Sequence, residues 1–217
     1  MKHTDTQDDS PPFATLHPNL VIGIHRALKA LAEKNIAVGG YFEFGLYSGF
    51  SFWFANNLAQ EMGLELDFHG FDSFEGLPAS EVDVHRNWAP GSYACSFEQV
   101  RSSLEKWGMP LAYTLHKGWF SESFFTEINQ RHKLPTPSIA IIDSDLYESA
   151  TEVLKMLDPM LRIGTILLFD DFNAFSSDPN HGERRALQEF QDTHPSFQLK
   201  TMFSFGPYGK AFEVTAV

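Results

Sequence analysis

The sequence predicts a doubly wound α/β sheet that ends in antiparallel strands, and three observations carry the prediction. Segments patterned as strands alternate with segments patterned as helices, which argues for parallel strands joined by right-handed crossovers. Two apolar runs, Ser138-Ile-Ala-Ile-Ile-Asp143-Ser-Asp145 and Gly164-Thr-Ile-Leu-Leu-Phe-Asp170-Asp171, stop in acids, as buried strands do when they deliver side chains to a sheet edge. Phe197 to Phe205 and Lys210 to Val217 flank Gly206-Pro207-Tyr208-Gly209 and read as a closing hairpin.

In chain order, Leu20, Ile24, Ala27, Leu28 and Leu31 recur at helical spacing and predict a leading helix between Leu16 and Asn35. Tyr41-Phe-Glu-Phe reads as the first strand, entering a turn at Gly45 to Gly49, with a helix over Ser51 to Met62. The second strand starts at Leu66 and stops at Asp72 in an acidic loop leading to Pro78; a stretch rich in Pro, Gly and Trp continues to Ser92. Ser96 is placed to N-cap a helix that reaches Trp107 and ends at Gly108 and Pro110. Leu111 to His116 is the third strand and Ser121 to His132 the next helix, broken by Pro135 and Pro137 before the strand at Ile139. Glu148 to Leu161 is an amphipathic helix, Gly164 marks its exit into the strand at Thr165, and His181 to His194 is the last helix. Residues 1–15, polar and acidic, are expected to be a disordered leader, and residues 16–217 a single domain.

At 217 residues and 43% hydrophobic, the chain supplies one core of ordinary size. A formal net charge of −12 opposes nucleic acid and anionic membrane surfaces, so neither is expected as a partner and a small molecule is. Cys95 is the single cysteine, which leaves no intramolecular disulfide or thiolate cluster and fits a cytoplasmic setting. The first dozen residues lack the apolar segment of a signal peptide, and no apolar stretch approaches the roughly 20 residues that span a bilayer.

If the two acid-ended strands are neighbours, Asp143, Asp145, Asp170 and Asp171 converge at the edge where open α/β sheets bind ligands. Two carboxylates about 6 Å apart repel by roughly 3 kcal/mol at an effective dielectric of about 20, and neither motif holds Lys or Arg. Protonation, cationic partners or a divalent ion would relieve that repulsion, and a hard ion with oxygen ligands such as Mg²⁺ is the simplest. Alternatively, Asp143 and Asp145 cap the helix entered at Leu146, and Asp170 and Asp171 are loop acids.

Glu43 interrupts an apolar strand just before its turn, where it suits a cationic ammonium group or else accepts bonds from loop amides. Asp72 ends the second strand, where an acid commonly meets a ribose, or closes an Asx-turn. Gly118-Trp119 follows the third strand and offers a flat wall to a purine base, or packs as ordinary core. The chain has no G-x-G-x-x-G, phosphate loop, H-E-x-x-H or G-x-S-x-G pattern, which argues against a polyphosphate site, a zinc hydrolase and a serine hydrolase. Phe50, Phe52, Trp53, Phe54, Trp88, Phe172 and Phe175 hint at aromatic walls, although core packing accounts for most of them. An exposed aromatic patch would be a surface for a homo-oligomer.

Taken in order, Phe42-Glu43-Phe-Gly45, Phe71-Asp72-Ser73-Phe74-Glu75-Gly76-Leu77-Pro78, Lys117-Gly118-Trp119-Phe120, Ile142-Asp143-Ser-Asp145-Leu-Tyr147-Glu148-Ser149 and Asp170-Asp171 resemble the macrocin O-methyltransferase family, across roughly residues 19 to 217. The Asp-Ser-Phe-x-Gly-Leu-Pro and Asp-x-Asp-x-Tyr-Glu-Ser elements are the specific part of the likeness; Ser144 stands where the family usually has Gly. The resemblance implies a class I S-adenosylmethionine-dependent methyltransferase fold, with a seven-stranded sheet in the order 3-2-1-4-5-7-6 and a C-terminal antiparallel hairpin. It implies an O-methyltransferase that uses S-adenosylmethionine and Mg²⁺ on a small-molecule acceptor, a vicinal diol of a sugar or natural product. Glu43 and Gly45 would border the methionine part of the cofactor, Asp72 and Ser73 its ribose, and Gly118 and Trp119 its adenine. Asp143, Asp170 and Asp171 would hold the Mg²⁺, with Asp143 also the general base and Asp145 the second candidate for that role. An S-adenosylmethionine-binding protein without transfer activity, and a metal-dependent hydroxylase on a related sheet, are the alternatives.

Overall fold

Strands and helices alternate as their spacing predicts. The computed structural model describes residues 18–34, 39–84 and 88–217. α1 (Pro18–Lys34) leads to β1 (Gly40–Phe44), α2 (Phe50–Glu61) and β2 (Asp67–Asp72). Then follow α3 (Phe97–Trp107), β3 (Tyr113–Lys117), α4 (Glu122–Arg131) and β4 (Pro137–Ile142). α5 (Tyr147–Leu157), β5 (Ile166–Phe169), α6 (Gly182–Thr193), β6 (Gln198–Phe205) and β7 (Gly209–Ala216) complete the chain. The expected leader over residues 1–15, and the expected domain start at residue 16, lie outside the described residues.

Two proline effects moved element ends. α5 stops at Leu157 and continues to Met160 only as a 3-10 turn containing Pro159, whose missing N–H cannot extend the helical ladder. β4 begins at Pro137, because the first residue of a strand tolerates the loss of one donor.

All seven strands form one sheet in the order β3-β2-β1-β4-β5-β7-β6. β1 to β5 are parallel, and β7 lies antiparallel between β5 and β6. The chain therefore builds outward from β1 in one direction and from β4 in the other, and the gap between their C-terminal ends is the topological switch point where such sheets bind ligands. Register makes this specific. Phe44 lies opposite Ile142, and Ile142 opposite Phe169, so the next residues, Gly45, Asp143 and Asp170, come level at one edge.

Helices cover both faces of the sheet, which is why the central strands are apolar throughout rather than alternating. Tyr41, Ile139, Ile141, Ile166 and Leu168 pack beneath α1, α2 and α3 with Leu20, Ile24, Leu28, Phe52 and Leu104. Phe42, Phe44, Ala140, Ile142, Leu167 and Phe169 face the other way, onto α4, α5 and α6 with Phe125, Val153, Leu154, Leu157 and Phe190. No helix among the described residues is long and apolar enough to cross a membrane.

Capping is as expected at α3, where Ser96 Oγ accepts from Gln99 N and Gln99 Oε1 accepts from Ser96 N. Gly45 is a tighter constraint. Its φ is +93°, and a Cβ there would overlap the carbonyl oxygen of Asp143. Gly45→Ala should therefore cost more than 2 kcal/mol of unfolding free energy, roughly, because strain and overlap add, whereas Ser96→Ala should cost about 1 kcal/mol. Denaturant midpoints compare the two, and an equal or smaller loss for Gly45→Ala would contradict the close approach of β1 and β4.

Candidate active site

A cavity of about 620 Å³ opens along the C-terminal edge, walled by the loops after β1 to β5 and by Tyr208 of the hairpin turn. Its two halves have different chemistry.

Over β1, β2 and β3 the walls are Gly45, Asp72, Ser73, Gly118 and Trp119, all expected from the sequence. Asp72 Oδ2 accepts from Leu46 N (2.6 Å) and Tyr47 N (3.3 Å), and Oδ1 from Phe74 N (2.6 Å). The carboxylate thus closes an Asx-turn and also ties the β1 loop to the end of β2. Burial raises its pKa and those three backbone bonds oppose the rise. Ser73 Oγ donates to Gly76 O and accepts from Glu75 N, fixing the next turn. Gly118 N donates to Asp72 O, and Trp119 is 43% exposed at the rim rather than packed in the core. Glu43 is fully buried and is absent from the cavity wall, where Ser51 stands in front of it. Its partners are hydroxyls rather than loop amides: Ser51 Oγ donates to Oε1 (2.5 Å) and Tyr41 Oη to Oε2 (2.6 Å). Burial pushes its pKa up to about 7; the two hydroxyl bonds act against that and the Asp72 charge adds to it.

Over β4 and β5 the wall is acidic. Carboxylate oxygens of Asp143, Asp145 and Asp171 all lie within 4.8 Å of one another. Asp170 also lines the cavity and is almost fully buried, but stands outside that trio. At such a spacing each pair repels by roughly 3 kcal/mol at an effective dielectric of about 20. Burial, then neighbouring acids, raise Asp143 and Asp145 well above the usual carboxylate range and lift Asp170 to about 8. The acids do not cap α5. Leu146 holds the N-cap position without a side-chain bond, and Tyr147 N donates instead to Asp83 Oδ2 at 2.6 Å. Asp145 sits at φ +60° in a three-residue turn closed by Leu146 N donating to Ser144 O (2.6 Å), a conformation that costs energy and is retained at functional sites. Trp88 Nε1 donates to Asp145 Oδ1, and its ring stacks on Phe175 with centroids 4.5 Å apart.

Several residues of this edge escaped sequence reasoning. Asp83 and Glu183 are buried acids; Glu183 accepts from backbone N–H groups, Asp83 from backbone N–H groups and also pairs with His181 Nδ1 (3.0 Å), and Tyr208 reaches the site from the far end of the chain. Glu183 gave only the signal of an acid in a helix's first turn, which ordinary dipole effects explain. Asp83 gave none, since its partners Tyr147, His181 and Gly182 are 64, 98 and 99 residues away.

The seven-stranded sheet order with its antiparallel end is that of the methyltransferase fold. The sequence model of the macrocin-O-methyltransferase (TylF) family matches residues 5–199, and the chain belongs to that family. A relative from Streptomyces olivaceus, 8-demethyl-8-(2,3-dimethoxy-alpha-L-rhamnosyl)-tetracenomycin-C 4'-O-methyltransferase, is 33% identical over 111 residues. That match takes in 46% of this chain and 40% of the relative's length. Among solved structures, the O-methyltransferase NovP has a TM-score of 0.71 at 18% identity, over 90% of this chain and 79% of its own. The calicheamicin methyltransferase CalS11 has a TM-score of 0.69 at 20% identity, over 89% and 77%. At those identities the structures establish the shared fold.

Glu43 sets a pH test. Its pKa rises from an ordinary 4.5 to about 7 on folding, so the folded state keeps a proton that the unfolded chain has released, and stability falls as pH rises through that window. Between pH 5 and pH 8 the wild type should lose about 2.5 kcal/mol more than Glu43→Gln, measured by denaturant unfolding of the metal-free protein. Equal losses would show that Glu43 is ionised throughout.

Proposed function

We propose that the protein transfers a methyl group from S-adenosylmethionine to a hydroxyl of an uncharged small molecule, a sugar or natural product, with Mg²⁺ at its acidic edge. The observation that carries this reading is one cavity in which the wall of Asp72, Ser73, Gly118 and Trp119 adjoins the converging carboxylates. Family membership supports O-methyl transfer, and the Streptomyces relative, by its name, acts at the 4' position of a rhamnosyl tetracenomycin.

The donor set fits a hard divalent cation: carboxylate oxygens alone, mutually repelling, within 4.8 Å. Asp143 and Asp171 would hold it, joined by Asp170, as the family resemblance implies, or by Asp145, which the geometry brings closer. Such an ion supplies Lewis acidity that lowers the pKa of hydroxyls bound near it, and two neighbouring hydroxyls of the acceptor would suit it. S-adenosylmethionine supplies the electrophilic methyl. The chain's part is to hold the cofactor between the β1 and β3 loops, to align the acceptor oxygen in line with the methyl, and to take the proton at Asp143, with Asp145 as the second candidate. Trp88 already occupies one oxygen of Asp145, which favours Asp143.

Charge narrows the acceptor. Seven carboxylates line the cavity, those of Asp72, Asp143, Asp145, Glu148, Glu152, Asp170 and Asp171, and no Lys, Arg or His is among its described lining residues. A phosphate-bearing acceptor would meet repulsion from most of that wall.

Calorimetric titration of S-adenosylhomocysteine into the wild type should show binding; none would reject the methyltransferase reading. Asp171→Asn should lower Mg²⁺-dependent transfer at least about 100-fold, and comparing Asp145→Asn with Asp170→Asn shows which acid completes the cation site. Transfer to a free glycoside should exceed transfer to the same sugar as its nucleoside diphosphate by about tenfold or more, and the reverse order would overturn the uncharged-acceptor assignment.

A further inference from the structure

Two carboxylates at this edge are absent from the cavity wall and accept from backbone N–H groups, one of them, Asp83, also pairing with His181 Nδ1 at 3.0 Å. Glu183, fully buried in the first turn of α6, accepts from Ser144 N at Oε1 (3.3 Å) and from Asp171 N at Oε2 (3.1 Å). Ser144 lies between Asp143 and Asp145, and Asp171 follows Asp170, so one side chain spans both acid-bearing loops, one oxygen to each. Glu183 is held in turn from its other side. Gly182, at φ +56°, donates its N–H to both oxygens of Asp83 (3.1 and 3.3 Å), and a Cβ there would press on the Phe175 ring and come within 3.3 Å of Asp145 O. Asp83 also accepts from Tyr147 N (2.6 Å), so it fastens the first turn of α6 to the first turn of α5, directly after the Asp143–Asp145 loop.

A carboxylate needed only to finish a helix has no reason to sit buried beside other acids, where each neighbour adds repulsion. What Glu183 gains there is a simultaneous grip on two loops that their own charges drive apart. We propose that Glu183 is a positioning residue that sets the separation of the Asp143–Asp145 and Asp170–Asp171 loops, and so brings their carboxylates to cation-binding distance, with Asp83 holding Glu183 in place. The inference rests on the proposed cation site but makes a separate statement about the two loops.

Glu183→Gln separates the two. Glutamine keeps the volume but offers one acceptor and one donor, so one loop N–H faces an N–H. In the full chain, titrated with MgCl₂ alone, the variant should bind Mg²⁺ at least about tenfold more weakly, the usual cost of losing a group that orients metal ligands. S-adenosylhomocysteine affinity should change by less than about twofold, because the cofactor half of the cavity is untouched. Amide hydrogen exchange at Ser144 or Asp171 should quicken about tenfold or more, while Glu189→Gln on the exposed side of α6 leaves it unchanged. Unaltered exchange at both amides overturns the proposal, as does unaltered Mg²⁺ affinity where the wild type binds the ion. If the wild type takes up no Mg²⁺, the cation reading fails and exchange at the two amides alone decides the positioning role. If Glu183→Gln does not fold, Glu183→Asp, too short to reach both loops, takes its place with the same outcomes.

Discussion

Repulsion among the carboxylates at the ends of β4 and β5 is the constraint around which the C-terminal edge is organised. Three acids converge within 4.8 Å and a fourth is buried beside them, in a wall with no cationic side chain among its described lining residues. Left alone, such a cluster would splay its loops or bind protons. The surrounding backbone opposes the first outcome: Asp143 N donates to Phe44 O and Asp170 N to Ile142 O, extending the parallel ladder one residue beyond each strand. Glu183 and Asp83 then take up the N–H groups of the loops and helix starts behind the acids. The raised pKa values of Asp143, Asp145 and Asp170 express the cost that remains, which bound protons or a cation would relieve.

The half of the cavity over β1 to β3 follows different physics. Asp72 also lies at a strand end, but backbone N–H donors from the β1 loop and its own turn satisfy it, so it is a fixed acceptor rather than a frustrated charge. Glu43 is further back still, saturated by two hydroxyls and screened from the cavity by Ser51. The two halves meet where Gly45 touches the backbone of Asp143. A side chain at that point would separate β1 from β4 and move the acids relative to the wall over β1 to β3, so glycine is required there by close approach as much as by its positive φ.

Much of this was legible in the chain. Uniform apolar runs and amphipathic stripes located the seven strands and six α-helices of the described residues to within a few residues, since burial on both sheet faces leaves uniform apolar runs and amphipathic helices leave a repeating stripe. The acid pairs announced the edge, because strand ends are where buried segments return to the surface. Boundaries shifted where proline chemistry intervened, at Pro137 and Pro159. Context decided between readings the chain had left open: Trp119 is at the rim and not in the core, Asp143 and Asp145 do not cap α5, and Glu43 accepts from hydroxyls and not from loop amides.

Sequence by itself determined the sheet class, the terminal hairpin and the chemical character of the edge, since these depend on which residue types recur at which short spacings. Tertiary structure alone decided which acids meet and what holds them. Asp145, and not Asp170, comes within 4.8 Å of both Asp143 and Asp171, and it does so from a three-residue turn. That turn is held from Glu183, 39 residues away, and by way of Asp83, 99 residues from its partner Gly182. Hydrogen bonds across such separations leave no periodicity in the chain, because a carboxylate that serves a distant backbone looks in sequence like any other acid in a loop or a first helical turn.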